Sequence, residues 1–454
     1  MRNKTLNNGS ITGQFIDVMW EFAHANISRK ILDQAKMCIV DYVACAYAGS
    51  FVGGTSKRLA EIAQTGGGNV PVIGAGFKAS LQNAALINGI HSHIAELDDG
   101  HRVAMMHPGA TIISTLFPVA QAVGGIDGLR FLKSVILGYE TSIRLASVIQ
   151  PSHKLMGFHG TGTCGTIGAA MALAYMLELK MEDWNTVVSA AATSASGLLE
   201  VIDDGSTLKP YNVGQASAAA INAVMVGKAG YVGPDDILGG KRGFFATHCN
   251  SLQSRNYLIE GFDDKYAIEL IYRKPYAACR HCHSAIEGAL VLRNKVDVHA
   301  IKEIEVLTYG LAVKGHDHCE VRGSSSAKMS TPYSMAAALV LGNTDMQAFS
   351  NVNIENPDIK EVAKKIKVIE SKELSCLVPQ KRAAIVRILT DKDQYETRVD
   401  YPKGEPENPI TKAELEEKYH SLMNEARVDK GKSDDILVCI YDMENQFEKL
   451  IQLL

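Results

Sequence analysis

From Ser28 to Gly230 the chain is a succession of apolar segments at helical spacing, many of them rich in alanine and glycine. In SRKILDQAKMCIVDYVACAYAG, Ile31, Ala35, Cys38, Ile39 and Tyr42 recur at helical intervals. Ser28 stands where an N-cap is wanted and Gly49 closes the pattern. SLQNAALINGIHSHIAEL, ATIISTLFPVAQAV, LRFLKSVILGYETSIRLASVI, GTIGAAMALAYMLEL, MEDWNTVVSAAATSASGLLE and GQASAAAINAVMVGKAG follow. Small side chains let helices approach closely. Helices apolar on most sides need burial all round, so this run demands a thick helical core.

The pattern changes near Tyr272. IKEIEVLTYGL reads as a strand, and IVRILTDKDQYETRVDY alternates and turns at Asp391–Asp393. Between them STPYSMAAALVLG and PDIKEVAKKIKVIE read as helical. A smaller α+β domain is expected over 274–399. YPKGEPENP is a linker by composition. Thr411 and Glu414 fit a capping box opening TKAELEEKYHSLMNEA. The closing SDDILVCIYDMENQFEKLIQLL places Ile436, Ile440, Met443, Phe447, Leu450 and Leu454 on one face. These last helices resemble the first half. The fold class is therefore mainly α, with a helical domain built from 1–273 and 400–454. At 454 residues, two domains is also the expectation from length.

Composition excludes several functions. A formal net charge of −4 gives no field for gripping nucleic acid. No uncharged apolar run of about 20 residues suggests a membrane span. MRNKTLNNGSITGQF has no apolar h-region of a signal peptide. Nine scattered cysteines fit reduced thiols in a cytoplasm. In that compartment the sequons at Asn8 and Asn26 carry no meaning.

HSHIAELDDGHRVAMMHPG, from His91 to Gly109, sets four histidines and three carboxylates between two segments that need burial. If the helix from Leu81 runs to Leu97, His93 and Glu96 share a face at i and i+3. Gly100 would then cap it after Asp98 and Asp99. Proline disfavours helix at the residue before it, so His107 is held extended at the entrance of the next helix. Imidazoles beside carboxylates make acids and bases usable near neutrality. A solvated loop, or histidines capping helix ends, would use the same residues.

Four other constellations are weaker. Gly160-Thr161-Gly162-Thr163-Cys164-Gly165 spells GxGxxG, but helical sequence surrounds it and nucleotide binding is not expected. His159 precedes it at a loop-to-helix junction. Lys209, before Pro210 in the Asp203–Gly214 segment, could offer its ammonium at a helix N-terminus to an anion. Arg280-His281-Cys282-His283 and His316-Asp317-His318-Cys319 lack zinc spacing, and Arg280 with His281 or His283 suits a carboxylate better. Lys328 and Tyr333 lie in AKMSTPY ahead of a helix, where a buried tyrosine hydroxyl serves structure as readily as chemistry.

In order along the chain, these elements resemble the MmgE/PrpD family, which includes 2-methylcitrate dehydratase, cis-aconitate decarboxylase and iminodisuccinate epimerase. The resemblance rests on the Glu96–Pro108 segment, GFHGTGTCGTIGAA, LKPYNVGQASAAAINA, ACRHCHSAIEGA, AKMSTPYSMAAAL and YPKGEPENP. It implies a large helical domain, an α+β lid, a homodimer and a cleft between the domains, with no metal or organic cofactor. The cleft residues it implies are Glu96, Gly100, His107, His159, Lys209, His283 and Tyr333, with Asp98 and Asp99 in the same segment. This chain departs from the usual family pattern at Glu96, at Gly100 with His101 after it, and at Asn212. A dehydratase acting on a 2-methylcitrate-like di- or tricarboxylate is the first expectation. In it His107 and His159 move protons, Glu96 or Asp98 orients them, Tyr333 donates near the leaving group, and Lys209 and His283 bind carboxylates. An epimerase of an imino- or amino-dicarboxylate, a decarboxylase and a non-catalytic carboxylate binder are the alternatives.

Overall fold

The computed structural model describes residues 9–203, 205–262 and 264–454. Asn8 of the first sequon and Asp204 of the Asp203–Gly214 segment lie outside them. The fold is mainly α, with small sheets. It divides into two compact units: Met1–Leu199 with Lys209–Ile271 and Thr411–Leu454, and Glu200–Leu208 with Tyr272–Ile410.

In the first unit the helices Arg29–Phe51, Leu81–Ile94, Pro108–Val123, Gly128–Ile149, Gly160–Met176, Met181–Ser194 and Lys209–Lys228 carry the alanine- and glycine-rich segments. Nearly every side chain of the 128–149 and 160–176 helices is buried. The 29–51 helix lies in a stretch long and apolar enough to cross a membrane, but 72% of its most apolar window is buried within the protein, as in a core helix.

The chain's end returns to this core. Phe131 packs between Phe117 and Phe447 in tilted pairs, ring centroids 4.7 and 4.8 Å away. Lys36, buried in the 29–51 helix, pairs with Glu444 at 2.5 Å. Thr411 and Glu414 form the expected capping box of Lys412–Glu425. The expected single closing helix is two, Lys430–Tyr441 and Met443–Leu453, broken where Asp442 leaves helical geometry at φ −117° and ψ 39°. All six residues of its apolar face are nonetheless buried.

The second unit holds a four-stranded sheet of β1 (Ile301–Thr308), β2 (Ile366–Glu370), β3 (Ala384–Thr390) and β4 (Gln394–Val399), in the order β2-β1-β3-β4. β1 and β2 are parallel and the other pairs antiparallel. Ile304, Val306 and Thr308 alternate inward on β1, as Ala384, Val386 and Ile388 do on β3. Two expectations fail here. IKVIE is β2 rather than the end of a helix, because the helix stops at Lys364 and the segment pairs with β1. YPKGEPENP belongs to this unit and is no loose linker: Glu405 within it is buried and ion-paired, and Gly404 N–H donates to the Asn408 carbonyl at 2.8 Å.

Candidate active site

The helix from Leu81 ends at Ile94, three residues sooner than the sequence suggests. Glu96 follows the C-cap in left-handed conformation, φ 57°, a position that glycine usually fills. Glu96 is thus not on a helical face with His93, and Gly100 is no helix cap but part of a two-residue strand, Gly100–His101. The turn instead directs the Glu96 carboxylate to Lys209, the first residue of the Lys209–Lys228 helix, whose ammonium donates to it. Left-handed backbone at a non-glycine costs about 1–3 kcal/mol and is retained where surroundings over-determine it.

Asp98 and Asp99 differ in task. Asp98 Oδ2 accepts from His93 Nδ1 at 2.7 Å and lies 3.3 Å from His107 Nδ1. Asp99 Oδ1 accepts the Gly109 N–H at 3.1 Å and Oδ2 the Tyr139 hydroxyl at 2.5 Å, capping the Pro108–Val123 helix. A side chain on Gly109 would meet Tyr139 and Asp99, so the close approach needs glycine. The Asp99 carbonyl accepts from His107 Nδ1 at 2.7 Å, which puts the proton on Nδ1 and leaves Nε2 as the basic nitrogen of the neutral ring. His107 N–H donates to Thr161 Oγ1 at 3.1 Å. His101 Nδ1 accepts from Ala104 N–H, holding the turn that leads to Met106.

The GxGxxG run is the first turns of the Gly160–Met176 helix, with His159 as N-cap. A Cβ on Gly162 would lie 2.3 Å from the Ser196 carbonyl, so this glycine serves close packing. The His159 ring is 6.0 Å from that of His93, which is 4.8 Å from that of His107. Burial, then the charges of Lys209 and His93, push the His159 pKa well below its ordinary value; Glu96 pulls weakly the other way. His159 is a neutral imidazole near pH 7. His107, His159 and Lys209 each stand at the N-terminal end of a helix, where backbone amides favour negative charge. The side chains of His107 and Lys209 are 12% and 13% exposed, against 0% for His93 and 3% for Asp98.

The first unit thus brings together Glu96, Asp98, Asp99, His107, His159 and Lys209. His93, marked in the sequence only by its spacing to Glu96, and Asn212, marked only as a departure, are also parts of this cluster. Asn212 Nδ2 lies 3.4 Å from His159 Nδ1 and donates to the Leu198 carbonyl at 3.2 Å. His153, in the SHK ahead of GFH, was also passed over; it binds Thr163 Oγ1 at 2.7 Å and the His248 carbonyl at 2.7 Å.

Arg280, His283, Lys328 and Tyr333 belong to the second unit. Arg280, expected to bind a substrate carboxylate, is bonded within its own unit. Its five N–H bonds all have protein acceptors: Glu405 Oε1 twice, the Lys403 and Pro402 carbonyls, and His283 Nδ1. His283, accepting from Arg280 and directing Nε2 to the Ala278 carbonyl at 3.1 Å, is likewise engaged within its unit. Both sit in a short turn, Arg280–Cys282, and its following helix, which turn them inward. The buried Tyr333 hydroxyl donates to the Ala348 carbonyl at 2.7 Å, so acting as a donor would require releasing that bond. Lys328 is buried at the end of Ser324–Met329. Lys274, not singled out from sequence, is fully buried and repeats the Lys-Pro pair of Lys209 and Pro210.

His93, Asp98 and His107 offer donor atoms within 4.8 Å of one another, a grouping that could hold a metal ion. Their geometry is that of a hydrogen-bonded relay: both Nδ1 atoms direct protons at the oxygens of Asp98 and Asp99. A cation ligated through those nitrogens would have to displace both protons.

Comparison with known proteins gives a consistent pattern. The model of the MmgE/PrpD N-terminal domain matches residues 14–255, and that of the MmgE/PrpD C-terminal domain matches 276–442. The chain is 27% identical to a cis-aconitate decarboxylase-like protein, oryM, of Aspergillus oryzae, over 91% of this chain and 90% of that one. It is 25% identical to a cis-aconitate decarboxylase of Aspergillus terreus over 98% and 96% of the two chains. With the human cis-aconitate decarboxylase the figures are 21% identity over 91% and 87%.

Proposed function

The chain belongs to the MmgE/PrpD family, and on that premise we propose that it is a cofactor-independent lyase that removes carbon dioxide from a cis-aconitate-like tricarboxylate. One observation carries this reading: His159, beside the Lys209–Glu96 pair, is held neutral, while the partly exposed His107 side chain gives its Nδ1 proton to the Asp99 carbonyl and keeps Nε2 as its basic nitrogen. When the bond to a departing carboxylate breaks, its electron pair stays on the substrate and spreads onto a neighbouring carboxylate. That charge needs a cation and hydrogen-bond donors, which Lys209 and the three helix N-termini supply. The carbon then needs a proton, which His107 takes up from solvent on Nε2 and hands on, with Asp98 and His93 behind it. Departure of carbon dioxide needs no acid. Departure of hydroxide does, and a buried neutral imidazole is a poor one. The geometry therefore favours decarboxylation over the dehydration first expected, and the relatives named as cis-aconitate decarboxylases support it.

Purified protein incubated with cis-aconitate should release carbon dioxide and form an unsaturated dicarboxylate, followed by proton NMR. A new alkene from 2-methylcitrate or citrate would restore the dehydratase reading. Deuterium exchange at Cα of an imino- or amino-dicarboxylate without a new alkene would establish an epimerase. Ligand-induced thermal stabilisation with no turnover of any of these would mark a carboxylate-binding relative. A homodimer and a cytoplasmic setting belong to the same proposal, and light scattering in solution tests the first.

A further inference from the structure

Asn212 lies in the first turn of the Lys209–Lys228 helix, and its surroundings fix which way its amide points. The Leu198 carbonyl, 3.2 Å away, can only accept, so the atom facing it is Nδ2. The same Nδ2 is 3.4 Å from His159 Nδ1. An amide nitrogen only donates, so His159 Nδ1 must be the bare nitrogen and its proton must sit on Nε2.

Both partners are held in place. Gly197 and Gly162 pack against the Asn212 side chain, where added Cβ atoms would lie 3.3 and 3.5 Å from it. His159 N–H donates to the Gly197 carbonyl at 2.9 Å, and the His159 carbonyl receives Gly162 N–H at 2.9 Å. The neutrality of the ring agrees with this arrangement.

We propose that Asn212 is a positioning residue that locks His159 as the Nε2–H tautomer, making it a neutral hydrogen-bond donor to substrate oxygen while His107, locked the opposite way by the Asp99 carbonyl, relays the proton to carbon through Nε2. The two histidines are complementary: one protonated on Nδ1 with Nε2 bare, the other bare on Nδ1 with Nε2 protonated. A neutral donor stabilises a developing carboxylate or enediolate charge without giving up its proton, so no proton balance is disturbed. An aspartate at 212 would reverse the lock by accepting from Nδ1–H. Leucine would remove it.

The catalytic consequence rests on the proposed decarboxylase reading, but the tautomer does not. Nitrogen-15 NMR of the full-length protein labelled at histidine, with His159 assigned by loss of its signals in His159→Gln, reads the tautomer without substrate. Wild type near pH 7 should show a protonated Nε2 and a bare Nδ1. Asn212→Asp should invert this, and Asn212→Leu should give a mixture. A wild-type Nδ1–H form, an imidazolium, or a tautomer unmoved by both substitutions overturns the proposal. If Asn212→Asp does not fold, Asn212→Leu alone decides. With a substrate in hand, Asn212→Asp should lower kcat on the order of 10²-fold with KM little changed, and shift the pH profile. Inverted tautomer with unchanged kcat would remove the catalytic consequence. No turnover in wild type, with the tautomer as stated, counts against the decarboxylase reading alone.

Discussion

At the scale of the residue, Glu96 is the most constrained group in the cluster. Its backbone is left-handed and its buried carboxylate meets an ammonium from 113 residues away. Lys209→Met leaves that carboxylate without its cation and should cost on the order of 3 kcal/mol in denaturant unfolding. Glu96→Gln in the same background should recover part of the loss, as a double-mutant cycle would show. His107→Gln should instead leave stability nearly unchanged and lower kcat by about 10²–10⁴-fold on the substrate found. Sequence legibility varied at this scale. His107 was readable because Pro108 dictates both its conformation and its place at a helix entrance. Arg280 was not, since four of its five bonds go to residues 402–405, and no local pattern announces a guanidinium that is already fully bonded.

At the scale of the element, helices were legible wherever apolar spacing persisted, and their ends were not. The helix from Leu81 stops at Ile94 because the turn is completed by Glu96 and by Lys418, whose ammonium donates to the Leu97 carbonyl at 2.6 Å. Both tethers are long-range. The GTGTCG run, from which no nucleotide site was expected, opens the helix, because His159 takes the cap. Gly162→Ala forces a methyl to 2.3 Å from the Ser196 carbonyl, so the backbone must move. A loss of roughly 1–3 kcal/mol is expected, read as a lower Tm. The β3–β4 hairpin was readable from alternation and its turn. β2 was not, since IKVIE follows a helical run and becomes a strand only by pairing with β1.

At the scale of the whole molecule, the sequence announced a helical unit closed by the chain's last helices and a smaller α+β unit. Their limits fall at Tyr272 and Ile410, and Glu200–Leu208 also clusters with the second. Composition could not reveal that nine-residue excursion. Acid sensitivity is a property of the whole fold. Burial lowers the pKa of His91 and of His153 to about 4. Above pH 6.5 both are neutral folded or unfolded and contribute nothing to pH dependence. Below it the unfolded chain takes up protons that the native state refuses, so stability falls as pH drops from 6.5 towards 4. The loss approaches about 3 kcal/mol per histidine at the lower limit. Denaturant midpoints across that range check it, and His91→Gln should flatten the slope.

The three helix N-termini at His107, His159 and Lys209 also bear on the choice of buffer. Backbone dipoles fixed inside a protein are little screened by dissolved salt and do not distinguish a substrate carboxylate from any other small oxyanion. Phosphate or sulfate should therefore act as competitive inhibitors, raising KM without changing kcat, whereas chloride at equal ionic strength should do neither. Rates measured in phosphate would understate the affinity of this site for its own ligand.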